Sequence, residues 1–455
     1  MTQRFALQVF AVGVFLAMTS VARAQSHEPL AVLSGMSVGQ SFSFHVEDLP
    51  KPYALPSVGF NPPATARPSG ALPQVPKGFR VEAFASDLNG PREMAVGADG
   101  TVYVSETREG KVLALRDSDG DGKADMSVTF VDGFRDPSGL AVHDGALYVV
   151  DRRAVWRVPF GSDPMQALPR ILVTRPGALG IGGGHITREI TFDPDGHHFY
   201  VAIGSQSNVG EDPWPCATIQ QFRLDGHVQL TYASGLRSPV GMAFYPGTSD
   251  LYAVVNERFG MGGGLVPDYF TRVLPNGFYG FPYAYLGPHP DPQFGDLRPD
   301  LVKTSLVPDV LLAPHSGPFG LLFVTGDGLP PAWEGDGLVA LHGTRADGGA
   351  AGFAVVRIPF ENQRPTGSYE AVMTGFGHAH GSPGIWGRPA WLARADDGSL
   401  LVSDEVANVI WRMKWEGAHV AQEAPVTAAA GPLHNVLPKA QGGGLTPALS
   451  FAPDH

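Results

Sequence analysis

The feature that most constrains this chain is a short pattern that returns six times. It reads as an apolar stretch, often opened by Pro, then a turn with Gly, then a short strand rich in Val, Tyr, Leu and Phe. The copies are PREMAVGADGTVYVSET from Pro91, PSGLAVHDGALYVVDR from Pro137 and HITREITFDPDGHHFYVAIG from His185. They continue as PVGMAFYPGTSDLYAVVNE from Pro239, a looser PFGLLFVTGDGLPPAWEGDGLVALHG from Pro318, and PAWLARADDGSLLVSDE from Pro389. Turn dipeptides such as Asp-Gly separate apolar runs of strand length. A third strand follows several copies, as in GKVLAL after Gly110, AVWRVPF after Ala154 and NVIWRM after Asn408. No long apolar pattern of helical period interrupts. A repeat of this length is one small antiparallel sheet, so six copies predict an all-β, six-bladed β-propeller of four-stranded sheets. An array of β-sandwiches is the competing architecture, but its repeat would be a whole domain long.

The flanks differ from the repeat. Residues 1–24 carry Arg4, an apolar run from Phe5 to Met18 and an Ala22-Arg23-Ala24 cleavage pattern, which reads as a signal peptide. Residues 25–77 are Pro-rich and predict an extended arm. The propeller is expected over 78–416, with an Ala/Pro/Gly-rich tail over 417–455. These readings place the protein in the periplasm or outside the cell. No other segment is apolar and long enough to cross a bilayer.

Charge and cysteine content narrow the function. The formal net charge is -12, and losing Arg4 and Arg23 with the leader would take it to -14. An acidic chain is a poor partner for nucleic acid. Cys216 is the single cysteine, so no intrachain disulfide can brace an exported fold. The core must hold it alone.

Loops at one end of a propeller converge on its axis, so the residues just before each inner strand are candidates for a site. They are Arg135-Asp136, His185 with Arg188, Arg237-Ser238, His315-Ser316 and Arg388. Cations that recur there in an acidic protein suit an anionic ligand; ion pairs between blades would produce the same pattern. His185 follows three glycines and heads an inner strand, which makes it a candidate general base.

A second motif stands apart. In DSDGDGKAD, Asp117, Asp119, Asp121 and Asp125 occupy positions 1, 3, 5 and 9 of a loop with Gly122 at position 6. Position 12 is Val128, and strand-like runs flank the loop where an EF-hand has helices. The expectation is a hairpin tip in the first blade that clamps a calcium ion; a solvated acidic turn is the alternative. His378 and His380 in GHAHG are better read as a loop pair than as metal ligands.

Several segments, in order, carry a family resemblance: GGGHITREITFDPDG, YASGLRSPVGMAFYPG, VVNERFGMGGGLVPDYF, NGFYGFPYAY, LLAPHSGPFGLLF, GDGLVALHGT and GRPAWLARADDGSLLVSD. The chain resembles the soluble glucose/sorbosone dehydrogenases that use pyrroloquinoline quinone (PQQ), and among them the sorbosone-dehydrogenase-like branch. The resemblance implies PQQ and calcium at the channel mouth, a sugar, sugar aldehyde or related alcohol as substrate, and an external electron acceptor. It implies His185 as general base. It implies Arg237 against the quinone, Arg388 as a cofactor-binding arginine and Arg345 as a candidate carboxylate clamp; Arg188 is a further cofactor-binding candidate from its place at the head of an inner strand. Asn256 falls in the cofactor site and Glu257 in the metal site. The sequence departs from the family at Ser238, where members often carry Asn, and at Gly260 to Gly264, where acidic residues are common. Two other functions remain open: a calcium-dependent lactonase on the same kind of propeller, and a binding propeller without catalysis.

Overall fold

The computed structural model describes residues 36–57, 62–180, 184–343, 352–377 and 384–417. Six antiparallel sheets follow one another along the chain, and their inner strands pack in a closed ring. The inner strands are Pro91–Val96, Leu140–His143, Arg188–Phe192, Ser238–Phe244, Pro318–Phe323 and Pro389–Arg394. Each coincides with one copy of the repeat. The fold is therefore the expected six-bladed propeller of four-stranded sheets, here called blades I to VI in that order. Blades III and V each gain a short fifth strand at the outer edge, Gly277–Phe278 and Ser41–Phe42.

The ring closes with a strand that is remote in sequence. Phe79–Ala85 pairs along Val409–Trp415 and is the outermost strand of blade VI, whose other three strands lie at the far end of the chain. The residues before it run along the blades. Gly39 and Gln40 bond Ala371, Tyr53 N–H donates to Met261 O, and Gln74 pairs with Thr374.

The core is divided as a propeller requires. Among the described residues, six hydrophobic clusters each lie between two neighbouring blades. Strand alternation feeds them. In Val102–Glu106, Val102 and Val104 pack toward blade VI while Tyr103 packs toward blade II. In Leu251–Asn256, Ala253 and Val255 face blade III while Tyr252 and Val254 face blade V. A strand covered on both faces reads as a continuous apolar run, because both sets of alternating side chains are buried. At roughly 25 cal/mol per Å2 of apolar surface removed from water, these interfaces are the main stabilising term.

The strand directions define two faces. Inner strands start at the face that carries His185, and second strands end there. The turns between third and fourth strands lie at the opposite face. The Asp117–Asp125 loop is such a turn, between Lys111–Arg116 and Met126–Val131. The long segment between Pro267–Val273 and Val310–Pro314 runs beside blade III through Gly277–Phe278. It then places Asp291 in an ion pair with Arg258, a residue of the His185 face. No helix among the described residues is long and apolar enough to cross a membrane.

Candidate active site

His185 is partly buried at the head of the blade III inner strand. Its Nδ1 lies 3.0 Å from the carbonyl oxygen of Ser205 and 3.2 Å from the Ser205 hydroxyl. The carbonyl can only accept. The hydroxyl donates its proton to Ser207 O at 2.7 Å, so toward His185 it also accepts. Both partners of Nδ1 being acceptors, the network assigns the proton to Nδ1 and leaves Nε2 bare. Burial pushes the imidazole down to about 3, with the Arg237 and Arg188 charges adding to it against the Ser205 bond. The ring is therefore neutral at physiological pH. Gly204 is required here, since a Cβ on it would lie 2.8 Å from that of His185 and 3.1 Å from Ser238 Oγ.

Arg237, expected against the quinone, stands beside this histidine at the junction of blades III and IV. Its Nε donates to Asn208 O at 2.9 Å and its Nη2 to Asn208 Oδ1 at 3.1 Å. Its guanidinium lies over the Phe259 ring, 5.5 Å from the centroid. Phe259 in turn stacks on His315 at 4.6 Å. Asn256 accepts from Arg237 Nη1 through its carbonyl at 3.4 Å and donates its amide to Pro318 O at 2.9 Å, which ties blade IV to blade V.

Arg188 turns toward the backbone with one of its nitrogens, while its buried Nε has no hydrogen-bond partner among the described residues. It is 2 % exposed, and its Nη1 donates to the carbonyls of His185 and Thr187. As the first residue of its strand it turns back on the preceding loop and braces the histidine backbone.

A second cluster gathers blades I, V and VI. Glu405 takes an ion pair from Arg92 and a 2.7 Å contact from His342 Nε2, while Arg92 Nη1 reaches Thr187 Oγ1 at 3.1 Å. This chain of contacts runs from blade V to the residues beside His185. Burial works to raise Glu405, but Arg92 and His342 outweigh it and hold the carboxyl well below its usual range. Burial also pushes His342 down to about 4 against the pull of Glu405, so the imidazole is neutral and donates. His342 stacks on Phe319 at 4.2 Å, with the rings nearly parallel. Arg388 borders the cluster, over the Phe353 ring at 5.4 Å, and its buried Nε has no hydrogen-bond partner among the described residues. Arg345, His378 and His380 lie outside the described residues.

The acidic residues divide between the two faces. Glu257 is buried near Arg237; its Oε2 accepts from Arg258 N–H and its own N–H donates to Asp268 Oδ1. Burial pushes it up to about 7, with Arg237 opposing. Among the described residues the one set of three carboxylates within metal-binding reach is elsewhere. Asp117, Asp119 and Asp121 bring oxygens within 4.8 Å of one another at the opposite face. Glu257 is not part of it, nor is Asp125, whose two oxygens are taken by Ser118 N–H and Oγ. Within 260–264, Gly262 has a local cause. Gly262 has a φ of 103°, its N–H donates to Ser57 Oγ, and a Cβ there would collide with Leu55 O. The N-terminal segment therefore passes close against this loop.

Sequence reading singled out the histidine but not Ser205, Asn208, Arg92, His342 or Glu405. SQSNVGED, Ser205 to Asp212, is the loop that orients both His185 and Arg237. Its signal was an Asn and four hydroxyl or acidic side chains between two strands, all able to bond backbone.

Part of the sequence and the propeller fold have counterparts among known proteins. Residues 73–261 match the family model described as TrAA12-like. An uncharacterised protein of Borreliella burgdorferi is 24% identical over 355 residues, covering 75% of this chain and 91% of its own length. The holo pyranose dehydrogenase PQQ domain of Coprinopsis cinerea superimposes with a TM-score of 0.64 at 19% identity, covering 78% of this chain and 100% of that one. The calcium structure of the Trichoderma reesei family AA12 protein gives 0.63 at 17% identity, covering 79% and 99%. The chain thus shares the fold of these solved structures, and its residues 73–261 resemble the TrAA12-like family. The sorbosone-dehydrogenase-like branch is not singled out.

Proposed function

We propose that this protein is an exported PQQ-dependent oxidoreductase. Its substrate is a sugar, sugar aldehyde or related alcohol, and an external acceptor takes the electrons. The observation that carries the reading is His185, neutral, with its proton fixed on Nδ1 and a bare Nε2, beside Arg237. PQQ, when bound, supplies the hydride acceptor. The residues fit such a group in the chemistry of their donors: three carboxylates and a quinone call for cations, and Arg388, like Arg188, has a buried Nε with no hydrogen-bond partner among the described residues. Arg237 and Arg388 would hold it. Arg92 is already neutralised by Glu405, and Arg188 gives its Nη1 to carbonyls.

His185 Nε2 takes the proton of the substrate hydroxyl as the carbon gives up hydride. Arg188 and Ser205 keep the ring in place through its backbone carbonyl and Nδ1. Arg237 holds its positive charge close by, which favours negative charge developing on a bound group. Calcium, in this reading, belongs at Asp117, Asp119 and Asp121, where it clips a hairpin of blade I and takes no part in the chemistry.

The test is reconstitution with PQQ and calcium, followed by dye reduction with a panel of aldoses, sugar aldehydes and alcohols. Dye reduction that needs both PQQ and His185 supports the reading. Lactone hydrolysis without PQQ, with no dye reduction, would replace it with the hydrolase alternative.

A further inference from the structure

We infer that Asn208 is a positioning residue that fixes the Arg237 guanidinium against the backbone of Phe259. The inference rests on the function proposed above and adds a residue to it. Asn208 sits in the loop between the second and third strands of blade III, yet its bonds go to blade IV and to the junction before it. Its Oδ1 accepts from Phe259 N–H at 2.9 Å and from Arg237 Nη2 at 3.1 Å. Its Nδ2 donates to Phe259 O at 2.9 Å, and its main-chain carbonyl accepts from Arg237 Nε at 2.9 Å.

The side chain thus pairs with both polar groups of one peptide residue and still accepts from the guanidinium. Turning the amide over would set its NH2 against an N–H and a guanidinium, so the orientation is forced by its partners. Because Phe259 also supplies the ring beneath Arg237, one asparagine fixes the cation by an edge and places the aromatic face that carries it. Ser238 Oγ lies beside Gly204, 3.1 Å from where a Cβ there would be.

No other natural side chain reproduces the set. Alanine removes the three side-chain bonds and keeps the main-chain one. Aspartate keeps the acceptor toward Arg237, loses the donor to Phe259 O, and places a negative charge on the guanidinium. That charge cancels the field by which Arg237 helps hold His185 down.

The experiment uses full-length protein: wild type, Asn208→Ala, Asn208→Asp, and Asn208→Asp in an Arg237→Gln background, each first checked for a cooperative melt. Two quantities are read: the His185 titration by NMR without cofactor, and PQQ affinity by titration. Asn208→Asp is expected to move the His185 titration up toward the ordinary histidine value, and to do so only while Arg237 is present. Asn208→Ala is expected to weaken PQQ binding about tenfold, close to the 1.4 kcal/mol that corresponds to a factor of ten, and Asn208→Asp by more. An unchanged His185 titration in Asn208→Asp overturns the inference, as does an equal shift in the Arg237→Gln background. Wild-type protein that binds no PQQ contradicts the proposed function, and the histidine titration then still decides the role of Asn208.

Discussion

His185 Nδ1 points at two oxygens of one residue, the carbonyl and the hydroxyl of Ser205, at 3.0 and 3.2 Å. Ser205 N–H in turn donates to Arg237 O at 2.7 Å. One serine therefore connects the candidate base to the candidate cofactor cation and settles which nitrogen of the base is free. His185→Ala is expected to lower kcat by roughly a hundred- to ten-thousandfold, the usual scale for losing a general base. PQQ affinity should change little. Dye-reduction kinetics and PQQ titration on the same preparation check both. A variant with full activity would move the base elsewhere.

The titration of that histidine is a prediction in itself. With its pKa at about 3, His185 remains the neutral tautomer across the physiological range. NMR titration should show no protonation of its ring between pH 5 and pH 8, and the pH–rate profile of kcat/KM should have no inflection from it there. An ordinary histidine titration near 6.5 would contradict the buried, cation-flanked environment.

Buried carboxyls make a prediction about stability. Glu93 and Glu189 face each other from the inner strands of blades I and III, in side-chain contact; burial raises both, and Glu93 raises Glu189 further. Glu257 is raised to about 7. In each case the folded protein holds the proton to higher pH than the unfolded chain, which releases it near 4.5. Their contribution is complete below that value and is lost as pH rises through the folded values. This share of the stability should therefore fall from about pH 5 to above pH 7, against the opposite slope that the depressed His185 and His342 contribute below about 6.5, and Glu189→Gln, which keeps a neutral donor, should remove part of that fall. Denaturant melts of wild type and Glu189→Gln across that range provide the check, and parallel pH profiles for the two proteins would refute it.

Asp117, Asp119 and Asp121 lie at the face opposite His185. Calcium at a hundred times its Kd is expected to stabilise the protein by about 2.7 kcal/mol. Asp119→Ala should abolish the calcium-dependent rise in Tm while leaving kcat with saturating PQQ unchanged. An Asp119→Ala protein that still responds to calcium would show that the ion binds elsewhere.

Ring closure predicts where the chain tolerates shortening. Phe79–Ala85 supplies a full strand of blade VI and carries Phe84 into the cluster between blades VI and I. A chain that begins at Gly90 should lose its cooperative melt, because it leaves Val409–Trp415 with an open edge. A cooperative melt in that chain would show that the ring needs no closing strand.

Much of this architecture was legible in the amino-acid order, for a physical reason. Each inner strand is apolar, begins near a Pro or a cation, and is followed by a tight turn, so the six copies from Pro91 to Pro389 fall in register with the six blades. The closing strand was not legible: Phe79–Ala85 pairs with residues more than three hundred positions away, and pairing at that distance leaves no local pattern. In the site, His185 and Arg237 could be placed on the right face from their position before an inner strand. The direction of Arg188 could not, since the first residue of a strand can turn to either side, and here it turned to carbonyls. Ser205 and Asn208 were missed because their work is done by loop backbone, whose partners depend on folding.

The measurement that tests the account most directly is a titration of purified protein with PQQ in the presence of calcium, wild type beside Arg388→Ala. The account predicts saturable binding of one PQQ per chain, with Arg388→Ala at least tenfold weaker. No saturable binding by the wild type, or equal binding by both, would contradict it.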